Sequence, residues 1–306
     1  TWYLDHIGHR VTLYGRSTSP KMQAFLATRQ NDLLTLPESV ALSTDLAAAL
    51  GGAETVIISI GSQNLRSLLG QPELQALRNR TVVLCMKGLE MDTGKRLSQI
   101  AGECLDPSNT VAVWLGPGHV QEFYRGIPNC MVIDSANEEV KRRLVQSFSS
   151  DLIRFYYGGD MIGNEVGAAA KNVVGIAAGF LDGVEMSSLK GALMSRGTRE
   201  VARLIRAMGG SELSAYGLCH LGDYEATVFS PYSHNRQFGE AFIRHQDFHR
   251  LAEGYYTVEA LMLLGRQYGV ELPICRAVHD ILYEHAAPQA TLQSLLRRGL
   301  RAEFDD

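Results

Sequence analysis

A chain of 306 residues with 45% hydrophobic and 20% charged residues is built like an ordinary globular protein and has room for about two domains. Its formal net charge of −4 excludes a broad cationic surface for nucleic acid or anionic lipid, so any anion site must be assembled locally. The five cysteines, odd in number and without a C-x-x-C pair, argue against a disulfide framework or structural zinc and for a reducing cytoplasm, while no apolar run reaches the roughly 18 residues of a membrane span and no signal-peptide pattern is present.

In chain order, Trp2, Tyr3 and Leu4 read as the tail of an amphipathic helix, and Arg10 to Tyr14 reads as a strand ending at Gly15-Arg16-Ser17. Strand and helix then alternate. A short strand near Val40 is followed by a helix over Asp45 to Leu50, a strand over Thr55 to Ser59 and a helix after Ser62. A strand over Thr81 to Cys85, a helix around Arg96 to Cys104 and a strand over Thr110 to Leu115 complete the pattern. Continuous β-branched runs separated by helical patterns predict a parallel, doubly wound sheet covered on both faces. After the turn at Gly158-Gly159 the periodicity becomes helical, with helices over Asn164 to Leu181, Leu189 to Met208, Phe238 to Phe248, Tyr256 to Tyr268, Pro273 to Tyr283 and from Ala290. The expectation is an α/β Rossmann-like domain over 1–160 and an all-α domain over 161–306, without internal repeats.

Ligands of such sheets bind beyond the carboxyl ends of the strands. Those positions hold Gly15-Arg16, Ile60-Gly61-Ser62, Met86-Lys87-Gly88 and Gly116-Pro117-Gly118. Lys87 and Arg16 are the cations there, and each reads either as a solvated loop charge or as a ligand contact. G-x-G-x-x-G, usual on the turn after the first strand of a dinucleotide-binding domain, occurs nowhere in the chain. The expectation is that the first strand, the glycine turn and the start of the first helix precede Thr1.

Asn164 to Asp182 organises the second half. At 100° per residue Asn164, Lys171, Gly175 and Asp182 share one side of a helix, and Val166, Val173, Ala177 and Phe180 take the other. Lys171 is the only charge between Glu165 and Asp182. It reads either as a lysine snorkelling from a half-buried helix or as a desolvated ammonium that must find a carboxylate or lower its pKa. Asp223, in Leu221-Gly222-Asp223, reads as an Asx turn or cap, or as the partner of Lys171. Ser233-His234-Asn235-Arg236 groups a hydroxyl, an imidazole, an amide and a guanidinium in a loop before a helix, a mixture suited to phosphate or merely solvated. His245 and His249, four apart on an expected helix, lack a third metal ligand, and no cysteine carries a nucleophile signature.

Taken together, M-K-G-L-E at 86–90, L-G-P-G at 115–118, E-V-G-A-A-A-K-N-V-V-G-I-A-A-G at 165–179, L-G-D at 221–223, S-P-Y-S-H-N-R-Q-F-G at 230–239 and E-G at 253–254 make the chain resemble, over essentially its whole length, the bacterial NAD(P)-dependent glycerol-3-phosphate dehydrogenases. The resemblance implies reversible reduction of dihydroxyacetone phosphate to sn-glycerol 3-phosphate, serving phospholipid synthesis in the cytoplasm, in a possible homodimer. It implies Lys171, Asp223 and Lys87 as catalytic residues, with Lys171 the general acid. Gly116, Gly118, Asn172, Thr227, Ser233, His234 and Asn235 would join those three in binding substrate. Arg16, Ser62, Lys87, Val120, His234 and Glu253 would bind NAD or NADP, with Arg16 and Ser17 tolerating the 2′-phosphate. Three positions depart from the family pattern: His234 stands for the usual arginine, Gly118 for a hydroxyl residue, and Gly61 for proline. They leave open a non-catalytic relative binding a phosphorylated metabolite or partner, or a dehydrogenase for a related small hydroxy substrate.

Overall fold

The structure is a computed structural model and describes residues 1–297, 299 and 303. Its strands are β1 (Thr12–Tyr14), β2 (Ala41–Ser43), β3 (Thr55–Ile58), β4 (Thr81–Leu84), β5 (Thr110–Leu115), β6 (Asn129–Ser135) and β7 (Ile153–Tyr157). They form two sheets: β1 and β2 pair in parallel, and β3-β4-β5-β6-β7 lie side by side in chain order. In the larger sheet β3, β4 and β5 run parallel, as the continuous apolar runs predict. β6 departs from that expectation. It runs antiparallel to β5, with Leu115 opposite Val132 and Ala112 opposite Ser135, and β7 follows parallel to it. Side-chain patterning marks a strand without giving its direction, and the link from β5 to β6 holds only a five-residue helix in place of a full crossover helix.

The sheet's two faces sort by the period of two. Val82 and Leu84 of β4 join Ile58, Val113 and Leu115 on one face, whereas Val83 joins Ala112, Ile133 and Phe155 on the other. The N-terminal helices are α1 (Trp2–His6), α2 (Pro20–Thr28), α3 (Leu46–Leu50), α4 (Leu65–Leu69), α5 (Pro72–Gln75), α6 (Leu97–Cys104), α7 (Val120–Tyr124) and α8 (Glu138–Phe148). Leu65 and Leu69 of α4 with Leu97 and Ile100 of α6 cover the first face. Tyr3 and Leu4 of α1 with Leu144 and Phe148 of α8 cover the second.

The second half is helical: α9 (Met161–Gly183), α10 (Lys190–Ala207), α11 (His234–Ile243), α12 (Glu253–Tyr268), α13 (Pro273–Tyr283) and α14 (Pro288–Leu296). α9 is buried continuously from Gly163 to Leu181 and is the axis of this half. Val166, Val173, Ala177 and Phe180 enter the helical core with Val201, Ile205, Val258 and Ile281, while Ala168 packs into the sheet core. Glycine brings α9 and α11 together: a Cβ on Gly179 would overlap the Arg236 carbonyl oxygen, and one on Gly239 would overlap that of Ile176. Buried carboxylates tie the layers. Glu165 of α9 takes Arg96 Nη1 at 2.5 Å and the Ser98 amide at 2.8 Å. Glu200 of α10 takes the Ile274 and Cys275 amides at 2.8 and 3.0 Å, satisfying the start of α13.

The helix expected over Phe238 to Phe248 is α11, which begins and ends earlier. His245 has φ of 54°, so the chain has left the helix there and His245 and His249 share no helical face. The expected loop at Ser233 to Arg236 is the N-cap and first turn of α11, because Ser233 Oγ accepts the Arg236 amide at 3.3 Å. Among the described residues, no helix is long and apolar enough to cross a membrane.

Candidate active site

Elements from both halves of the chain meet at Lys171. α9 carries it to the point where a 3-10 turn (Leu221–Asp223) and a single π turn (Glu225–Phe229) pass the ends of β4 and β5. Asp223, 1% exposed, receives Lys171 Nζ at 3.0 Å and Lys87 Nζ at 2.6 Å on the same oxygen, Oδ2. Lys171 Nζ also donates to Thr227 Oγ1 at 2.8 Å, and that hydroxyl donates to the Asp223 carbonyl at 2.6 Å, closing a ring through the π turn. Lys87 Nζ reaches the Gly116 carbonyl at 2.5 Å, so the β4 and β5 ends are held together. Asn172 Nδ2 donates to the Lys87 carbonyl at 2.9 Å, its Oδ1 accepts from Asn235 Nδ2 at 3.1 Å, and Asn235 Oδ1 accepts the Gly254 amide at 2.9 Å.

Two ammonium groups share one carboxylate, so the cluster is net positive and suits an anion or a developing oxyanion. Burial pushes Lys171 down to about 8; the adjacent Asp223 opposes that shift and Lys87 adds to it. A group near neutrality that stays hydrogen-bonded is poised for proton transfer.

Lys87, Gly116, Lys171, Asn172, Asp223, Thr227 and Asn235 are thus brought into one hydrogen-bonded set. Ser62 and Glu253 form a second one: Glu253 accepts the Ser62 amide at 2.9 Å and the Ser62 hydroxyl, joining the β3 end to the start of α12. Gly88 lies against the same serine, since a Cβ there would stand 2.5 Å from Ser62 Oγ. Gly118 has φ of 128°, a backbone that disfavours the hydroxyl residue usual in the family pattern. Ser233 is spent partly as the cap of α11. Exposed His234 opens that helix, and partial desolvation with the nearby positive charge of Arg250 and Lys21 holds its imidazole below its ordinary 6.5. Arg236 turns from the site to Asp182 at 2.8 Å and Glu240 at 2.9 Å. Arg16 and Val120 are exposed at the β1 end and the start of α7, outside both sets.

Two histidines outside the sequence motifs also adjoin the cluster. His119 Nε2 lies 3.1 Å from the Ala226 carbonyl, linking the β5 loop to the π turn. His220, just before Leu221-Gly222-Asp223, is fully buried. Its adjacency to that motif was the one available signal.

The strand ends of a Rossmann-like sheet domain meet a helical domain at a lysine-carboxylate cluster, which is where proteins of the Rossmann class bind their ligands. Residues 2–141 match the family described as NAD-dependent glycerol-3-phosphate dehydrogenase N-terminus, and residues 160–293 match its C-terminus. The chain belongs to the NAD-dependent glycerol-3-phosphate dehydrogenase family. It is 34% identical to glycerol-3-phosphate dehydrogenase [NAD(P)+] of Streptomyces griseus, an alignment covering 98% of this chain and 93% of the relative. The enzyme of the same name from a Thermoanaerobacter species is 31% identical, with 99% and 94% covered. The crystal structure of glycerol-3-phosphate dehydrogenase from Coxiella burnetii superposes with a TM-score of 0.90 at 27% identity, covering 97% of this chain and 94% of that one. A ternary structure of D-mandelate dehydrogenase with NADH, TM-score 0.61 at 14% identity, shares the fold.

The residues fit the redox end of a nicotinamide dinucleotide. A Cβ on Gly88 would meet Ser62 and one on Gly116 would meet Met131, so the fit rests on the donors at the ends of β3 and β4, the cationic Lys87 ammonium and the neutral Ser62 amide and hydroxyl.

Proposed function

We propose that this chain catalyses NAD(P)H-dependent, reversible reduction of dihydroxyacetone phosphate to sn-glycerol 3-phosphate, with Lys171 as general acid and base. The observation that carries the reading is the shared carboxylate oxygen between Lys171 and Lys87. A reduced nicotinamide supplies the hydride when bound beside the β4 and β5 ends. The substrate carbonyl oxygen takes a proton from Lys171 Nζ, which is left as the neutral amine, and Asp223 keeps its negative charge throughout. Lys87 stays protonated and stabilises the oxygen as charge develops on it. Asn172 and Thr227 hold the two lysines in place. The phosphate is received at the N-terminus of α11 by the Ser233 hydroxyl, Asn235 and His234, where the helix dipole favours an anion. Ser62, Glu253, Arg16 and Val120 are the residues we assign to holding the cofactor.

The test is oxidation of NADH and NADPH with dihydroxyacetone phosphate by the wild-type chain and by Lys171→Ala. Removal of a positioned general acid costs about 10²- to 10⁴-fold in kcat with the fold retained; substantial residual turnover would reject the assignment. A second reading, a relative that binds a phosphorylated metabolite without turning it over, rests on the Ser62 amide and hydroxyl being already occupied by Glu253. Hydride transfer to any small ketone phosphate removes it.

A further inference from the structure

His220 has no exposed surface, and its hydrogen bonds run to the helix turn that carries Lys171 and to the turn that carries Asp223. Its ring Nδ1 lies 2.8 Å from the Gly167 carbonyl, the oxygen that the α-helical ladder assigns to the Lys171 amide four residues on. A carbonyl only accepts, so Nδ1 carries the proton and Nε2 is left as an acceptor for the Tyr224 hydroxyl at 2.7 Å. The His220 carbonyl in turn accepts the Asp223 amide at 3.0 Å. Gly167 leaves the room for this: a Cβ there would stand 3.0 Å from His220 Cβ. Tyr224 is itself fully buried and packs with Val174 and Ala178 of α9. One side chain therefore bolts the turn holding Asp223 to the helix turn holding Lys171.

We infer that His220, backed by Tyr224, is a positioning residue that sets the Lys171–Asp223 separation and through it the protonation of the general acid. The inference rests on the reading of Lys171 given above. Burial holds the ring neutral, down to about 4, against the weaker pull of the Gly167 carbonyl; the Lys171 charge adds to the lowering, and Asp223 and the Gly197 carbonyl of α10 oppose it. The strut thus keeps one hydrogen-bonding pattern across the pH range in which Lys171 titrates. The charged and titratable groups facing Lys171 are Asp223 from the 3-10 turn, Lys87 from the β4 end, His119 from the β5 loop and His220 itself. Only Asp223 among these is an anion, so its drift lowers the pKa of Lys171.

The test compares His220→Asn, whose amide nitrogen sits near the Nδ1 position, with His220→Gln, whose amide nitrogen reaches toward Nε2. Both fill most of the volume. Tyr224→Phe, which removes only a hydroxyl, and Lys171→Ala are measured beside them as full chains. The readouts are kcat, KM for dihydroxyacetone phosphate and the pH dependence of kcat. His220→Asn should stay within about threefold of wild type. His220→Gln should lose on the order of tenfold to a hundredfold in kcat, the scale of a small misplacement of a reacting group, with KM little changed. Its basic limb should move below that of the wild type, and Tyr224→Phe should move it in the same direction by less. Equal kcat in the Asn and Gln variants with an unmoved limb in Tyr224→Phe overturns the inference; should the Gln variant not fold, the limb of Tyr224→Phe decides alone. Loss of activity in Lys171→Ala beside indifferent His220 variants rejects only the positioning role, whereas an active Lys171→Ala rejects the general-acid reading.

Discussion

Lys171 and Lys87 donate to a single oxygen, Asp223 Oδ2, from 3.0 and 2.6 Å. The carboxylate is what allows two like charges to sit side by side in a desolvated place. Asp223→Asn keeps the shape and removes the charge. The expected outcome is a basic limb in the reductive kcat profile displaced downward from about 8, since Lys171 loses its one raising charge. The protein should also lose about 3 to 5 kcal/mol of stability, the cost of stranding buried charge. Urea unfolding and a pH–rate profile check both; an unmoved limb would show that Asp223 does not govern Lys171.

Asp182, at the far end of the same helix, repeats the arrangement with Lys190 at 2.7 Å and Arg236 at 2.8 Å. Arg236 is therefore committed to holding α11 against α9. Arg236→Gln should lower stability by about 3 kcal/mol or more while KM for a phosphate substrate stays within a few-fold. A large KM increase in a variant of unchanged melting temperature would instead place Arg236 on the phosphate.

Gly179→Ala sets two effects against each other. Alanine gains roughly 1 kcal/mol of helix propensity over glycine. Its Cβ would overlap the Arg236 carbonyl, a backbone atom that cannot swing aside. Overpacking of this kind costs about 1 to 3 kcal/mol and sometimes more, so net destabilisation is expected. Because α11 also presents Asn235, KM should rise with it; thermal unfolding and steady-state kinetics measure the two effects.

The buried His220 gives an acid signature. Its imidazole is held at about 4 in the folded chain against an ordinary 6.5, so between those values the unfolded chain binds the extra proton. Stability from this group is full above pH 6.5 and is lost as pH falls to 4. At 1.36 kcal/mol per pH unit the loss is on the order of 3 kcal/mol. His220→Asn should unfold with a shallower pH dependence over that window; parallel slopes for the two proteins would contradict it.

Several secondary elements are legible in the chain because local chemistry dictates them. The β-branched runs at Thr55–Ile58, Thr81–Leu84 and Thr110–Leu115 mark buried strands, and Pro273 suits the head of α13 because it has no backbone N–H to leave unpaired. The apolar side of α9 was readable for the same reason, as Val166, Val173, Ala177 and Phe180 follow the helical period. The family, too, was legible, because its motifs are linear. Direction and pairing were not. β6 lies antiparallel because of where its backbone hydrogen bonds close, a choice that residues 129–135 alone do not encode. Nor do local patterns tell that Arg236 faces Asp182 while Asn235, its neighbour, faces Asn172. Lys171, Lys87 and Asp223 are separated by long stretches of chain, as are His220 and Gly167. Only close packing of α9 against the sheet ends and the 3-10 and π turns brings them within hydrogen-bonding distance, where burial and Coulomb interaction become strong enough to shift a pKa.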